Sequence, residues 1–213
     1  MPSEPVTRAA RSGYHHGDLA NALLEEGLQL TRHGGPDAVT VREVARRVGV
    51  APTAVYRHFA DRDALVAAIA LRIQQQVADR MRTVEDARAG GAETPSARAR
   101  LRAVGLGYVG FALAEPGWFD VAFGSATALP SDVDPASLPA PLATLVEVLD
   151  DLVAEGDLPA AAREGAEWPC WSTVHGFALL ALRGPLRALP RDLLWHHAQQ
   201  AVDTIIDGLL APR

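Results

Sequence analysis

Leucine residues recur at near-helical spacing from Asp18 onward, and the series stops at His33-Gly34-Gly35-Pro36. Residues three and four apart share one face of an α-helix, so the pattern predicts an amphipathic first helix that ends at this Gly-Pro segment. The next segment, Thr40-Val-Arg-Glu43, has the Ser/Thr-x-x-Glu form of a capping box, in which the hydroxyl and the carboxylate each accept from the other residue's backbone N–H. A short second helix is therefore predicted over residues 41–48.

Pro52 predicts the start of a third helix, because proline lacks a donor that a first helical turn does not need and disfavours the α conformation at Ala51. A longer fourth helix is expected to begin at Asp61 or Arg62. Its apolar positions form a regular stripe: Leu65, Ile69, Ile73 and Val77.

The rest of the chain continues with helical periodicity after a Gly- and Pro-containing segment at 85–97, which is predicted to be a loop. Apolar stripes indicate helices at 101–112, 138–153, 168–183 and 193–210. No segment alternates with period two. The sequence therefore predicts an all-α protein of about nine helices.

Composition is typical of a globular protein of one or two domains, with 213 residues of which 48% are hydrophobic. No run of about 18 apolar residues and no signal-peptide pattern is present, so we expect a soluble, cytoplasmic protein. Cys170 is the single cysteine, which excludes an intrachain disulfide. It reads either as a small buried hydrophobe or as a redox sensor.

The net charge of −6 is unevenly distributed along the chain. Residues 1–82 carry 11 Arg against 9 acidic residues, whereas residues 83–213 carry 9 Arg against 17. This asymmetry is compatible with a small basic nucleic-acid reader attached to a larger acidic body.

A helical wheel separates two faces in the third helix. Val55 and Phe59 fall together, whereas Thr53, Ala54 and Arg57 lie opposite and Tyr56 flanks them. The same construction on the second helix sends Val44, Ala45 and Val48 inward and Arg42 and Arg46 outward. Two such helices, joined through Gly49 and packed on the first helix, form a helix-turn-helix.

The outward side chains suit a phosphate-lined groove. Arg42 and Arg57 offer forked donors, Thr53 and Tyr56 offer hydroxyls, and the small Ala54 permits close approach to a base edge. A merely solvated charged face explains neither the tight turn nor an aromatic hydroxyl held outward. The pattern therefore predicts binding to double-stranded DNA.

The stretch "TVREVARRVGVAPTAVYRHFADRDALVAAI" resembles the DNA-binding domain of the TetR/AcrR family of transcriptional regulators, over about residues 14–70. The resemblance implies an all-helical homodimer with a DNA reader at the N-terminus and a divergent helical body that binds an effector. It also implies roles for individual residues: Thr40 against a phosphate, Pro52, Thr53 and Ala54 facing bases, and Tyr56, His58 and Arg62 clamping the DNA backbone. Ala51 departs from the family, which often has Ser there. We expect a flexible arm at 1–13, a DNA-binding domain at 14–62 and an effector-binding and dimerisation domain at 63–213.

No catalytic or cofactor pattern is apparent. The sequence contains no nucleophile elbow, no Gly-rich phosphate loop and no Cys/His cluster with metal spacing, so we expect neither an enzyme nor a metal or cofactor. The adjacent pairs His15-His16 and His196-His197 would point about 100° apart on a helix and chelate poorly.

An effector pocket is predicted from aromatic residues in the body. Gly105, Gly107 and Gly110 in one helix cost about 1 kcal/mol each relative to Ala, so either neighbouring helices approach closely there or space is left for a ligand. The candidate lining residues are Tyr108, Phe111, Trp118, Phe119, Phe123, Trp171 and His175. Such a lining favours a hydrophobic effector.

The stretch "WSTVHGFALLALRG" places Trp171 and His175 on one helical face and resembles a WHG-type C-terminal domain found in some of these regulators. His175 reads either as a core or interface residue or as a ligand contact, and Gly176 permits close helix approach.

The last two helices are apolar on more than one face, as expected for an intersubunit four-helix bundle. Symmetry then predicts a palindromic operator read in successive major grooves about 34–36 Å apart. The leading hypothesis is a repressor that a small hydrophobic effector releases from DNA. The alternatives are an effector-dependent activator, a helical enzyme or carrier that retains the helix-turn-helix as a scaffold, and a purely structural dimerisation module.

Overall fold

The computed structural model describes residues 16–86, 95–124 and 138–211. Those residues form nine α-helices and no strand, as the periodicity predicted. In chain order the helices are α1 (His16–Gly34), α2 (Val41–Val48), α3 (Pro52–Val55), α4 (Arg62–Asp86), α5 (Ala97–Ala114), α6 (Pro116–Phe123), α7 (Ala140–Ala154), α8 (Glu167–Leu182) and α9 (Arg191–Leu210). The predicted arm at 1–13 and most of the predicted loop at 85–97 lie outside the described residues.

The cap of α2 is half of the predicted capping box. The Thr40 hydroxyl accepts from the Glu43 backbone N–H at 3.1 Å. The Glu43 carboxylate, however, accepts from Arg46 at 2.9 Å and 2.6 Å and from Arg47 at 3.0 Å. Forked arginine–carboxylate bonds are charge-assisted and stronger than a bond to a neutral amide, which explains why the reciprocal half is replaced.

The turn between α2 and α3 depends on Gly49, whose φ of 81° is left-handed and whose N–H donates to Ala45 O at 2.9 Å. Pro52 starts α3 as predicted, but α3 ends at Val55, one turn earlier than the wheel assumed. The chain still curves helically, because the N–H groups of His58 and Phe59 both donate to Val55 O.

The helix-turn-helix is stabilised by a core of buried apolar side chains from α1, α2, α3 and α4. The α4 stripe is fully buried at Leu65, Ile69, Ile73 and Val77, each 0% exposed. The same buried cluster includes these side chains of the first three helices: Leu23, Leu28, Val44, Ala45 and Val55. The predicted inner face is thereby confirmed, with Val48 and Phe59 half-buried at its edge.

Helix α6 was not predicted as a separate element. It begins with Pro116 directly after α5 ends at Ala114, and it packs between α1, α4 and α5. The Gln74 side chain of α4 donates to Ala122 O at 3.0 Å and so holds α6 to the long helix. The signal was the Glu-Pro-Gly step, since proline is favoured in a first helical turn.

The body is built around α5, which packs against α4, α7, α8 and α9. A Cβ at Gly107 would lie 2.8 Å from Met81 Cα, so this glycine lets α5 approach the α4 backbone. Arg100 of α5 binds Asp151 of α7 and Glu155 directly after it, both at 2.9 Å. The long α4 joins α1–α3, which we call the reader, to the body. The domain division at 62/63 stays a prediction.

No helix within the described ranges is long and apolar enough to cross a membrane.

Candidate nucleic-acid interface and effector cavity

The outer face of α3 and the following turn carries the predicted DNA-reading side chains. Thr53, Tyr56 and Arg57 are exposed, with Tyr56 at 55%, whereas Val55 between them is fully buried. Pro52 is exposed and Ala54 is partly exposed beside them. The burial pattern therefore directs two hydroxyls and one guanidinium away from the protein.

Helix α2 presents three arginines, but they differ in availability. Arg46 and Arg47 both bind Glu43, and their donated bonds lower the pKa of that carboxyl to about 2. Arg42 is exposed, and among the described residues neither Arg42 nor Arg57 forms an ion pair. Arg42 and Arg57 are consequently the arginines of this face that can bind phosphate without first releasing a carboxylate.

The remaining predicted clamp residues, His58 and Arg62, are partly exposed, and both pack or hydrogen-bond against the protein. His58 is half-buried, and its Nε2 atom is buried with no hydrogen-bond partner among the described residues. Arg62 donates from Nε to Val39 O at 2.8 Å and from Nη2 to Pro36 O at 2.6 Å. Both side chains therefore lie against the support of the helix-turn-helix, while Thr40 is exposed at the start of α2.

Five of the predicted effector residues form one aromatic cluster. Tyr108 lies 5.2 Å from Trp171, 5.5 Å from Phe123 and 5.8 Å from Phe119, measured between ring centroids. His175 stacks on Trp171 at 6.4 Å with an interplanar angle of 19°. The cluster joins α5, α6 and α8, and Trp171 and His175 stand four residues apart on α8 within it.

Tyr108 and His175 form the polar centre of this aromatic cluster. The Tyr108 hydroxyl and His175 Nδ1 are 2.9 Å apart, a hydrogen bond whose direction depends on the histidine tautomer. Burial raises the pKa of Tyr108 and lowers the pKa of His175. Because burial penalises the charged form of each group, both members of the pair are held neutral near pH 7.

Phe111 and Trp118 lie elsewhere, at the contact between α6 and the end of α1. Their rings stack on each other at 6.4 Å, and Trp118 Nε1 donates to Leu28 O at 2.8 Å. The Arg32 guanidinium lies 5.0 Å from the centroid of the Trp118 ring and donates from Nε to Glu115 at 2.8 Å. These two side chains therefore link α5 and α6 to the end of α1. Their role in binding an effector stays a prediction.

A narrow cavity lies between α4, α5, α7, α8 and α9, with an almost wholly apolar surface. Its volume of about 20 Å³ has room for roughly one water molecule. The lining residues are Met81, Leu101, Val104, Gly105, Tyr108, Leu145, Cys170, Trp171, Val174, Val202, Ile205 and Ile206. A ring-sized ligand must displace some of these side chains.

Of the predicted effector residues, only Tyr108 and Trp171 line this cavity. The aliphatic lining was missed because Leu, Ile and Val stripes are read as core, and no local signal separates a core contact from a cavity wall. Both explanations for the glycines of α5 apply: Gly107 packs against α4, and Gly105 lines the cavity. Cys170 is a buried wall residue, and burial raises the pKa of its thiol to about 11.

Helix α6 contacts both the aromatic cluster and the reader. Phe119 and Phe123 belong to the cluster, whereas Gly117 lies against the carbonyls of Thr31 and Arg32 at the end of α1. A movement of the aromatic cluster can thus reach α1 through one short helix. In the part of the chain that the structure describes, no group of three or more His, Cys, Asp or Glu residues could hold a metal ion.

Two family models match the chain. The model described as "Bacterial regulatory proteins, tetR family" matches residues 23–69, and the model described as "Tetracyclin repressor-like, C-terminal domain" matches residues 101–205. The chain belongs to the TetR family of transcriptional regulators. The predicted resemblance of residues 14–70 to the TetR/AcrR family is thereby confirmed. TetR-family proteins are ligand-responsive DNA-binding regulators. The finer assignment to a WHG-type domain stays a prediction.

Solved structures share the fold of this chain. The chain is 30% identical to a protein with unknown function from Rhodococcus sp. RHA1, with a TM-score of 0.73 and coverage of 94% of this chain and 100% of that chain. A TetR variant from Acinetobacter baumannii AYE in complex with minocycline is 20% identical, with a TM-score of 0.62 and coverage of 90% and 98%. FadR from Bacillus subtilis in complex with stearoyl-CoA is 13% identical, with a TM-score of 0.64 and coverage of 88% and 98%; these last two show the shared fold. No curated protein matches the chain.

Proposed function

We propose that this TetR-family protein is a homodimeric repressor that binds a palindromic operator in the cytoplasm and leaves it when a small, uncharged apolar effector binds the body. The observation that carries this proposal is the two-sided helix-turn-helix. Arg42, Thr53, Tyr56 and Arg57 are exposed on one side, while Val44 and the rest of its inner face are buried on the other.

The DNA contacts are assigned by what each side chain can offer. Arg42, Tyr56 and Arg57 donate to phosphates, with Thr40 beside them at the start of α2. A second set is assigned to base edges: Pro52, Thr53 and Ala54. His58 supports this surface from behind, since its ring is half-buried.

Dimerisation through α8 and α9 is supported by an exposed stripe on α8. Trp168 is 49% exposed, Leu179 is 37% exposed, and Ser172 and Gly176 lie between them at helical spacing. A Cβ at Gly176 would meet nothing within 4 Å in the same chain, so the close approach that this glycine allows is available to a second subunit. On α9, Leu193 and Trp195 are 39% and 36% exposed.

The effector is proposed to be uncharged because the cavity lining has no charged side chain and the Tyr108–His175 pair is held neutral. Burying an unpaired charge there would cost several kcal/mol. A ring-sized molecule enlarges the cavity, moves Trp171 and the aromatic cluster, and through α6 displaces α1. The two readers then no longer match successive grooves, and the operator is released.

A gel-shift titration against the region upstream of the protein's own gene tests the DNA-binding half of this proposal. Sequence-specific retardation that two-fold symmetric mutations in the duplex abolish is the expected result. Equal affinity for random duplex would contradict it.

Thermal-shift measurements with toluene, phenol and benzoate test the effector half, since the three probes share one ring and differ in polarity. We expect toluene to raise the melting temperature most and benzoate least. A larger stabilisation by benzoate would refute the uncharged-effector proposal without touching the DNA-binding one.

A further inference from the structure

Arg62 starts α4 but turns its side chain away from that helix. Asp61 caps α4, with its Oδ1 accepting from the Ala64 N–H at 2.7 Å. The Arg62 guanidinium instead reaches the segment between α1 and α2, where Nε donates to Val39 O and Nη2 donates to Pro36 O. One planar fork therefore binds two carbonyls that stand three residues apart in the chain.

These two carbonyls belong to the segment that places α2. Pro36 begins a single 3-10 turn, and Val39 is fully buried and directly precedes Thr40, the N-cap of α2. Both carbonyl oxygens lie outside the hydrogen-bond ladder of α2. By binding them, Arg62 fixes the start of α2 against the start of α4.

The surroundings of Arg62 disfavour a phosphate. Its Nη1 atom lies 3.3 Å from Asp63 Oδ1. Asp61, the residue directly before Arg62, is exposed. The Asp63 side chain is 90% exposed and that of Arg62 is 40% exposed, so the part of the guanidinium that faces solvent has a carboxylate beside it. Like charges in contact repel, which makes this end of α4 a poor phosphate site.

We propose that Arg62 is a positioning residue that locks the N-terminus of α2 to α4 and makes no contact with DNA. This inference rests on the proposed DNA-binding function. Because α4 continues to Met81 at the cavity wall, about 28 Å further along the helix, the lock also ties the reader to the helix that the effector touches.

Salt dependence of DNA binding separates a positioning residue from a phosphate clamp, because each lost phosphate contact lowers the slope of log K against log salt by about 0.9. The matched pair is Arg62→Ala and Arg57→Ala, which remove the same side chain. We expect Arg62→Ala to weaken binding to the upstream duplex about tenfold with the wild-type slope, and Arg57→Ala to lower the slope by about 0.9. A slope lowered equally by Arg62→Ala would overturn the proposal.

Arg62→Lys keeps the charge but loses the fork, and so covers the case in which Arg62→Ala folds poorly. A phosphate clamp predicts near wild-type affinity for Arg62→Lys, whereas the two-carbonyl lock predicts a loss of severalfold at unchanged slope. Affinity is measured per active molecule, counted by titration with duplex at a temperature where every variant is folded. If the variants lower only the melting temperature and leave this affinity unchanged, Arg62 is purely structural and the positioning role is refuted. Wild-type binding without sequence preference would refute the operator proposal, yet the slopes on that same duplex would still decide the role of Arg62.

Discussion

Gly117 offers a direct test of the contact between the reader and the body. A Cβ added there would lie 2.3 Å from Arg32 O and 2.5 Å from Thr31 O. These distances are about 1 Å shorter than an unstrained contact, and both oxygens are backbone atoms that cannot rotate away. The substitution Gly117→Ala must therefore push α6 away from α1.

The expected cost of this substitution combines three contributions. Overpacking of this kind costs about 1–3 kcal/mol. The hydrogen bond from Trp118 Nε1 to Leu28 O, now 2.8 Å, adds about 1 kcal/mol when it is stretched. The better helix propensity of Ala returns up to about 1 kcal/mol. A net loss of about 2 kcal/mol corresponds to a melting temperature about 4–8 °C lower for a chain of this size.

The assay is thermal unfolding followed by circular dichroism, with Gly110→Ala as the matched control. At Gly110 the added Cβ would lie 3.6 Å and 3.7 Å from the Trp195 ring, which is ordinary contact. We expect the control to melt at or above the wild-type temperature. If Gly117→Ala and Gly110→Ala melt together, the close packing of α6 on α1 is refuted.

Three further predictions concern the reader, the aromatic cluster and the dimer. Tyr56→Phe removes one hydroxyl from the proposed phosphate contacts and should weaken operator binding by about 1 kcal/mol, or about fivefold, in an anisotropy titration. Arg57→Ala should weaken binding more. Unchanged affinity in both variants would show that this face does not contact DNA. Burial lowers the pKa of His175 below its ordinary 6.5, so the unfolded chain binds the proton more tightly and wild-type stability should fall as the pH drops below about 6.5. His175→Phe should flatten that dependence in urea unfolding at pH 7.5 and 5.5, and an equally steep fall in the variant would contradict this explanation. Leu179→Glu should dissociate the dimer in analytical ultracentrifugation, whereas Leu71→Glu, an exposed leucine on α4, should not; equal behaviour of the two would exclude α8 from the interface.

The fold followed from the sequence wherever periodicity and helix-end chemistry act locally. The α4 stripe and the inward position of Val55 are consequences of helical spacing, and Thr40 and Pro52 mark the starts of α2 and α3 through rules that involve only a few neighbouring residues. The length of α3 was wrong because it depends on Tyr56, Arg57 and His58, which turn instead of continuing the helix. Nothing in their propensities required that turn.

The candidate site was predictable only in part, because its long-range contacts join distant segments. Trp171 and His175 share a face by spacing, but their contact with Tyr108 spans more than 60 residues. Trp118 was predicted to line a pocket because aromatic residues are frequent in its segment. Its indole N–H donates to a carbonyl of α1, 90 residues earlier, and no local pattern indicates that contact. Arg62 shows the same limit, since the two carbonyls that it binds cannot be identified from spacing alone.

DNase I footprinting of the protein on the region upstream of its own gene tests whether it binds a palindromic operator. We expect a protected site with two-fold symmetric half-sites spaced by about one helical turn, which shrinks or disappears when an uncharged apolar effector is added. Uniform protection across the duplex, with no sequence preference, would contradict it.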